Sequence, residues 1–298
     1  MPSPSSDPVG RDTIRLFRYF NSHAYESLNA GELLVSPVSN FNDPFEFRYQ
    51  ISGDLTQAKA QRHVKRAFRS SEALQALRKK FPQAKRDELR RMLRDPIKIQ
   101  QAAKDFISSN KARSAYDEES ALARMDIDGR MCCFSSTEVT PFEEILLWSH
   151  YSAKHTGVRI GFELLLDGSD SHYNLRPVRY AKERVRMDIA ADPRGVIIKD
   201  SLREAMYTKA LGWEYEREHR LFTLRKYCRE RTTSARLSRT FLPFHPDVVW
   251  TVDFGIRCPA EEQVKISSLV RRKYPNALLR KGSIHPTNLA IIYTPIPP

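Results

Sequence analysis

The sequence predicts an α+β fold, a mixed and mostly antiparallel sheet carrying a basic helical insertion. Two observations predict it. Short runs rich in β-branched and aromatic residues, bounded by turn formers, recur along most of the chain. Only one of the helical stretches between them repeats the strand–helix spacing of a doubly wound sheet. At 298 residues the chain is long enough for a sizeable core. It reads as one domain over 1–298, with residues 55–125 as the insertion.

The strand-like runs are Ile14–Tyr19, Leu33–Ser36, Gly129–Ser135, Val158–Phe162, Val178–Tyr180, Glu216–Thr223, Val248–Phe254 and Ala290–Tyr293. The helical pieces are Ala24–Ala30, Glu143–Tyr151, Val196–Gly212 and Ala260–Lys273, the last in βα spacing. From Leu55 to Arg124 the chain has no glycine and a helix-favouring composition. Val64, Phe68, Leu74, Leu77 and Phe81 recur there at three- and four-residue steps, with a slip between Phe68 and Leu74. Three or four amphipathic helices are expected, broken near Ser70–Ser71, Pro82 and Pro96.

Charge concentrates in the same stretch. The whole chain carries +13, and Leu55–Arg124 holds 18 Lys/Arg against 8 Asp/Glu, a local excess of +10. Such an excess favours phosphate-bearing partners, DNA or RNA among them. Lys79, Lys80, Arg90 and Arg91 are the candidate contacts. The plain alternative is a solvated helical cover over the core. No apolar run approaches the length of a membrane helix, and the first fifteen residues lack the apolar core of a signal peptide. A cytoplasmic protein that engages no membrane is expected. Four cysteines without metal spacing read as small buried hydrophobes, and no metal site is expected.

Four blocks hold unusual densities of polar and aromatic groups. In Leu16–Phe20, Arg18 sits among apolar residues, either as a snorkelling edge residue or as an anion holder, with Tyr19 on the opposite strand face. Phe41–Glu46 contains Asn42-Asp43-Pro44, which is turn chemistry. Asn42 and Asp43 serve only that turn or orient a ligand. Trp148-Ser149-His150-Tyr151 offers a stacking surface, a hydroxyl and a neutral-pH proton carrier. No Gly-x-Ser-x-Gly elbow surrounds Ser149. In Lys209–Phe222, Glu214, Glu216, Glu218 and Arg220 share a face if the segment is a strand, and pair at i,i+4 if it is a helix. Either way carboxylates meet an arginine, which shifts proton affinities or makes a plain ion-pair ladder.

In this order the blocks resemble a bacterial family of unknown function. Its pattern is similar to Leu16–Tyr19, Phe41–Glu46, Cys133–Ser135, Trp148–Phe162 and Lys209–Arg220. Arg18 stands where that family usually has Lys, and the basic stretch after Glu46 is long. A weaker resemblance is to ADP-ribosyltransferases, in particular the toxin group that modifies DNA bases. It rests on Arg18 in a first strand, a short helix, Gly31–Ser36, and late carboxylates. That resemblance implies a split antiparallel sheet and NAD as substrate. It implies catalytic roles for Glu216, Glu218 and Tyr151. It places Arg18, Tyr19, Asn42, Asp43, Trp148, Ser149, His150 and Arg220 around the dinucleotide. Two other readings stand beside it. One is a metal-dependent nuclease using Asp43, Glu216, Glu218 and Lys209. The other is a non-catalytic module that binds nucleic acid or nucleotide.

Overall fold

The computed structural model describes residues 12–52, 56–114, 125–166, 172–188, 202–232 and 238–297. The chain divides into two compact units. One comprises residues 1–46, 122–183 and 207–298; the other comprises 47–121 and 184–206.

In the first unit, β1 (Thr13–Phe20) leads into α1 (Ala24–Ala30), which ends at Gly31 with φ +67°, a left-handed cap that glycine adopts without strain. β2 (Glu32–Val35) follows. The second unit takes the chain through β3 (Tyr49–Ser52), α2 (Gln57–Phe68), α3 (Ser71–Lys80), α4 (Arg86–Arg94) and α5 (Pro96–Ser114). The first unit resumes with β4 (Gly129–Ser136), α6 (Pro141–Tyr151), β5 (Val158–Leu165), β6 (Tyr173–Pro177) and β7 (Arg179–Ala181). β8 (Val185–Asp188) belongs to the second unit and pairs in parallel with β3. The rest is first unit: β9 (Thr208–Ala210), β10 (Glu218–Leu224), β11 (Arg229–Thr232), β12 (Ser238–Pro243), β13 (Val249–Phe254), α7 (Ala260–Lys273), β14 (Leu278–Ile284) and β15 (Ile291–Pro295).

The first unit is built on an eight-stranded sheet in the order β15-β14-β13-β5-β1-β4-β10-β6. Its described neighbours are antiparallel except β13 and β14, which run parallel around the α7 crossover. That crossover is the one βα spacing read from the sequence. A three-stranded sheet β11-β12-β2 and the parallel pair β7-β9 complete the unit. The core is apolar and continuous, with Leu16, Leu28, Phe134, Ile160, Phe162, Leu221, Val252, Phe254 and Ile266 buried in one cluster.

The sheet is split between β1 and β4. These strands pair only at Leu16–Ser136 and Phe17–Ser135, whereas β1 pairs with β5 along its whole length. Beyond Phe17 the two diverge, and Arg18, Tyr19 and Phe20 have no partner on the β4 side. Ser36, just past β2, instead bridges to Met131 of β4.

In the second unit α2 packs its Ala60–Val64 face against Ile99 and Ala103 of α5. The four helices break where serine and proline predict: Ser70 caps α3 by accepting from the Ala73 N–H, and Pro96 opens α5. The basic stretch read as an insertion over 55–125 falls largely in this unit, which also takes in 184–206.

Two expectations are corrected. A single helix over Val196–Gly212 does not form: 202–206 is helical, but Thr208–Ala210 is β9, held by pairing with β7. Residues 196–201 lie outside the described residues. The strand expected from Glu216 begins at Glu218, because Leu211–Glu216 is a 3-10 turn.

Close backbone approach fixes the turn before β5. A Cβ on Gly157 would lie 1.9 Å from the Phe20 carbonyl oxygen, inside the β1–β5 pairing that cannot open locally. Gly157→Ala is expected to cost about 1–3 kcal/mol through this overlap, read as a lower melting temperature; an unchanged melting temperature would refute the stated packing.

Candidate functional site

A cavity of about 400 Å³ opens at the split. Its walls come from β1 (Phe17, Arg18, Tyr19), the β2 end (Leu34, Ser36), the turn Asn40–Asn42, β4 from Met131 to Ser135, and Tyr151, Lys209, Glu216 and Glu218. The split supplies the opening.

At one wall stands Arg18. Its Nη2 donates to the Leu34 carbonyl at 2.9 Å, and its Nη1 is buried without a hydrogen-bond partner. No carboxylate among the described residues pairs with it. An uncompensated guanidinium lining a cavity is a ready anion contact.

A buried ionic cluster also borders the cavity. Glu216 accepts from the Tyr151 hydroxyl through Oε1 and from Lys209 Nζ through Oε2 at 2.6 Å. Lys209 Nζ also reaches Glu218 Oε2 and Glu46 Oε1, each at 3.2 Å. Arg220 closes the network, donating from Nε to Glu218 Oε1 at 2.8 Å and from Nη2 to Glu46 Oε2 at 2.6 Å. All five charged side chains are at most 5% exposed. Among the described residues three carboxylates face two cations, so these five groups are one positive charge short of neutrality.

The proton affinities follow from that count. Burial raises Glu46 and Glu216 above the ordinary carboxylate range, with their cationic neighbours opposing it. Glu218 is buried too, yet Arg220 and Lys209 together hold it down at about 2. Burial and the adjacent Glu216 push the Tyr151 hydroxyl up, so Tyr151 stays a donor at neutral pH. Lys209 is raised despite burial because Glu218, Glu46 and Glu216 surround it.

Local structure explains the convergence. Thr140 and Glu143 form a reciprocal capping box that starts α6 at Pro141, and ten residues later Tyr151 ends the helix beside the cavity. Glu143 also pairs with Arg217 Nη2 at 3.1 Å. Arg217 holds φ +46°, unusual for a residue with a side chain. This left-handed step joins the 3-10 turn carrying Glu216 to the strand carrying Glu218. The Glu218 N–H donates to the Tyr180 hydroxyl at 2.8 Å, and Tyr180 lies opposite Lys209 in the β7–β9 pair.

Of the residues singled out in the sequence, Arg18, Tyr19, Asn42, Tyr151, Glu216 and Glu218 line one cavity, and Arg220 lies behind it. Four others sit elsewhere. Trp148 is a core residue, 1% exposed, donating to the Tyr293 hydroxyl at 2.8 Å, so it offers no stacking face to the cavity. Ser149 donates to the Ile145 carbonyl and meets His155 Nε2 at 3.1 Å. His150 is exposed and bonds the Tyr215 hydroxyl through Nδ1 at 2.9 Å. Asp43 caps its own turn, accepting from the Phe45 N–H at 2.9 Å. The nuclease reading required Asp43 beside Glu216 and Glu218; the Glu216 and Glu218 carboxylates are instead engaged by Lys209 and Arg220. Lys79, Lys80, Arg90 and Arg91 are exposed on the second unit.

A second buried cluster was not read from the sequence. Arg159 donates to Asp253 and Glu144 and lies 3.9 Å over the Phe17 ring and 4.5 Å from the Tyr293 ring. Arg280 forks onto Asp253 at 2.6 and 2.9 Å. The Tyr19 hydroxyl joins it, pushed up to about 12 by burial. The missed signal was a charged residue in an apolar strand run, Val158-Arg159-Ile160 and Val252-Asp253-Phe254, which needs a buried partner.

Residues 147–221 match the model of a family described as a protein of unknown function (DUF2971). The matched stretch runs from α6 into β10 and contains Tyr151, Lys209, Glu216, Glu218 and Arg220. Neither the curated proteins nor the solved structures yield a match to this chain. Among the described residues no helix is long and apolar enough to cross a membrane.

Arg220→Met is expected to destabilise the protein by about 3–5 kcal/mol, since it leaves Glu218 and Glu46 buried without their main cation. In the parent, Glu218 is depressed, so its stabilisation holds above the unfolded carboxylate value and fades only as pH falls towards 2. In the variant those carboxylates rise, so the deficit is largest at neutral pH and narrows as they protonate. Denaturant melts across pH check this; a deficit independent of pH would contradict it.

Proposed function

We propose that this protein is an NAD-consuming enzyme of the ADP-ribosyltransferase type, which breaks the nicotinamide–ribose bond and passes ADP-ribose to a macromolecular acceptor. The observation that carries the reading is the polarity of the cavity. Its lining holds the unpaired guanidinium of Arg18 and carboxylates in excess of their cations. Oxidised NAD offers a complement to each, an anionic pyrophosphate and a positively charged nicotinamide ring. The reading also draws on the split antiparallel sheet and the resemblance described above.

Arg18 holds a phosphate oxygen through the nitrogen it leaves free. Glu216, fixed by Tyr151 and Lys209, faces the ribose. As the C1′–N bond breaks, its electron pair leaves with nicotinamide, which departs neutral. Positive charge then builds on the ribose, and a preorganised carboxylate stabilises it. The acceptor attacks C1′ and its proton passes to Glu216 or to water.

Purified protein is expected to release nicotinamide from NAD when offered nucleic acid or protein acceptors. Glu216→Gln keeps the shape and removes the charge, so it is expected to lower the rate by about 10²–10⁴-fold. The raised Glu216 must ionise to act, so the rate rises with pH through a value above the ordinary glutamate range. Arg18→Gln should raise KM for NAD more than it lowers kcat. No nicotinamide release with any acceptor would remove this reading.

A further inference from the structure

The second unit has its own chemistry. α2 contains four Lys/Arg and no acidic residue. Its apolar face, Ala60 and Val64 with Phe68 beside them, is spent on α5. The opposite side carries Lys59, Arg62, Arg66 and Arg69, all exposed. They follow steps of three, four and three residues, which places them in one stripe. On α4, Arg86, Arg90 and Arg94 repeat the device at steps of four, with Leu89 buried on the flank of that row. Among the described residues none of these seven side chains forms an ion pair, and Asp87 stands three residues before Arg90 on α4.

Spacing gives the stripes meaning. Residues four apart on a helix rise about 6 Å along its axis, so Arg86 to Arg94 covers about 12 Å and Lys59 to Arg69 about 15 Å. One strand of a nucleic-acid duplex presents a phosphate about every 3.4 Å of its axis, so each stripe spans some three to five phosphates. We propose that the α2 and α4 stripes form a nucleic-acid-binding surface that grips the phosphate backbone without reading sequence. An anionic membrane is the weaker fit. Surface-bound helices insert an apolar face into the lipid, and here α2 has buried that face against α5 and α4 has buried Leu89.

This surface stands independently of the NAD reading, because its test contains no NAD. Fluorescence anisotropy would follow the full-length protein on labelled duplex DNA, duplex RNA and single strands of roughly 20 nucleotides per strand, with salt varied. The parent is expected to bind, with affinity falling steeply as salt rises. The comparison of DNA with RNA identifies which backbone is preferred. Lys59→Glu/Arg62→Glu/Arg66→Glu should weaken binding about tenfold or more and flatten the salt slope by about 2–3, one unit per lost phosphate contact. Arg86→Glu/Arg90→Glu/Arg94→Glu should do the same. The matching glutamine triples, which guard against misfolding, should weaken binding in the same order with melting temperature unchanged. With no NAD present, a failure to bind counts against this surface alone, and a failure to release nicotinamide counts against the enzymatic reading alone. The proposal is overturned if the parent binds no nucleic acid, if reversing both stripes leaves affinity and salt slope unchanged, or if binding appears only with phosphatidylserine vesicles.

Discussion

The burial of Glu218 governs the arrangement around it. A lone carboxylate on an interior strand of an apolar sheet is not tolerated, and here two cations, Arg220 and Lys209, reach it. Arg220 comes from the same face of the same strand, two residues on. Lys209 comes from β9, a short strand that exists through pairing with β7. Those two cations then draw in Glu46 and Glu216, and Glu216 draws in Tyr151 at the end of α6. Three stretches distant in the chain, at Glu46, Tyr151 and Lys209–Arg220, are tied at one point by this charge balance.

The Arg159 cluster secures the neighbouring half of the sheet by a different route. Its guanidinium lies between aromatic rings and forks onto Asp253, which also accepts from Thr251 at 2.9 Å and from Arg280. Strands β5, β13 and β14 are thereby cross-linked by side chains as well as by their ladders, and Glu144 and Tyr293 extend the network to α6 and β15. Lysine could not replace Arg159, since a point charge neither stacks between rings nor forks onto two carboxylates. α6 is therefore held at both ends, by this network near Glu144 and Trp148 and by the Glu216 hydrogen bond at Tyr151.

Much of this was legible in the chain, and the failures have physical causes. Runs of β-branched and aromatic residues marked β1, β4, β5 and β13, and helical spacing marked α6 and α7. Strands β3, β6, β8, β11 and β12 were not marked, because β3, β8 and β11 are four residues long and β6 and β12 alternate over only two buried positions each. The Lys209–Arg220 block was read as one strand or one helix. A left-handed Arg217 separates a 3-10 turn from a strand, and neither periodicity captures that. The convergence of Arg18, Tyr151 and Glu216 was expected. Glu46 was not assigned a part, although it stood in the quoted turn block, because nothing local distinguishes a buried carboxylate from a surface one. Trp148 was misplaced for the converse reason: aromatic residues in a polar block suggest a ligand face, yet helical geometry turned it inward beside Leu147.

The odd charge in the buried cluster has a thermodynamic consequence. The three carboxylates and two cations described there reach neutrality by holding a hydrogen ion or by accepting a cationic guest. A positively charged ligand entering the cavity competes with that hydrogen ion and expels part of it into the solvent. Association would then carry a heat that depends on the ionisation enthalpy of the buffer, and affinity would strengthen as the medium becomes more alkaline.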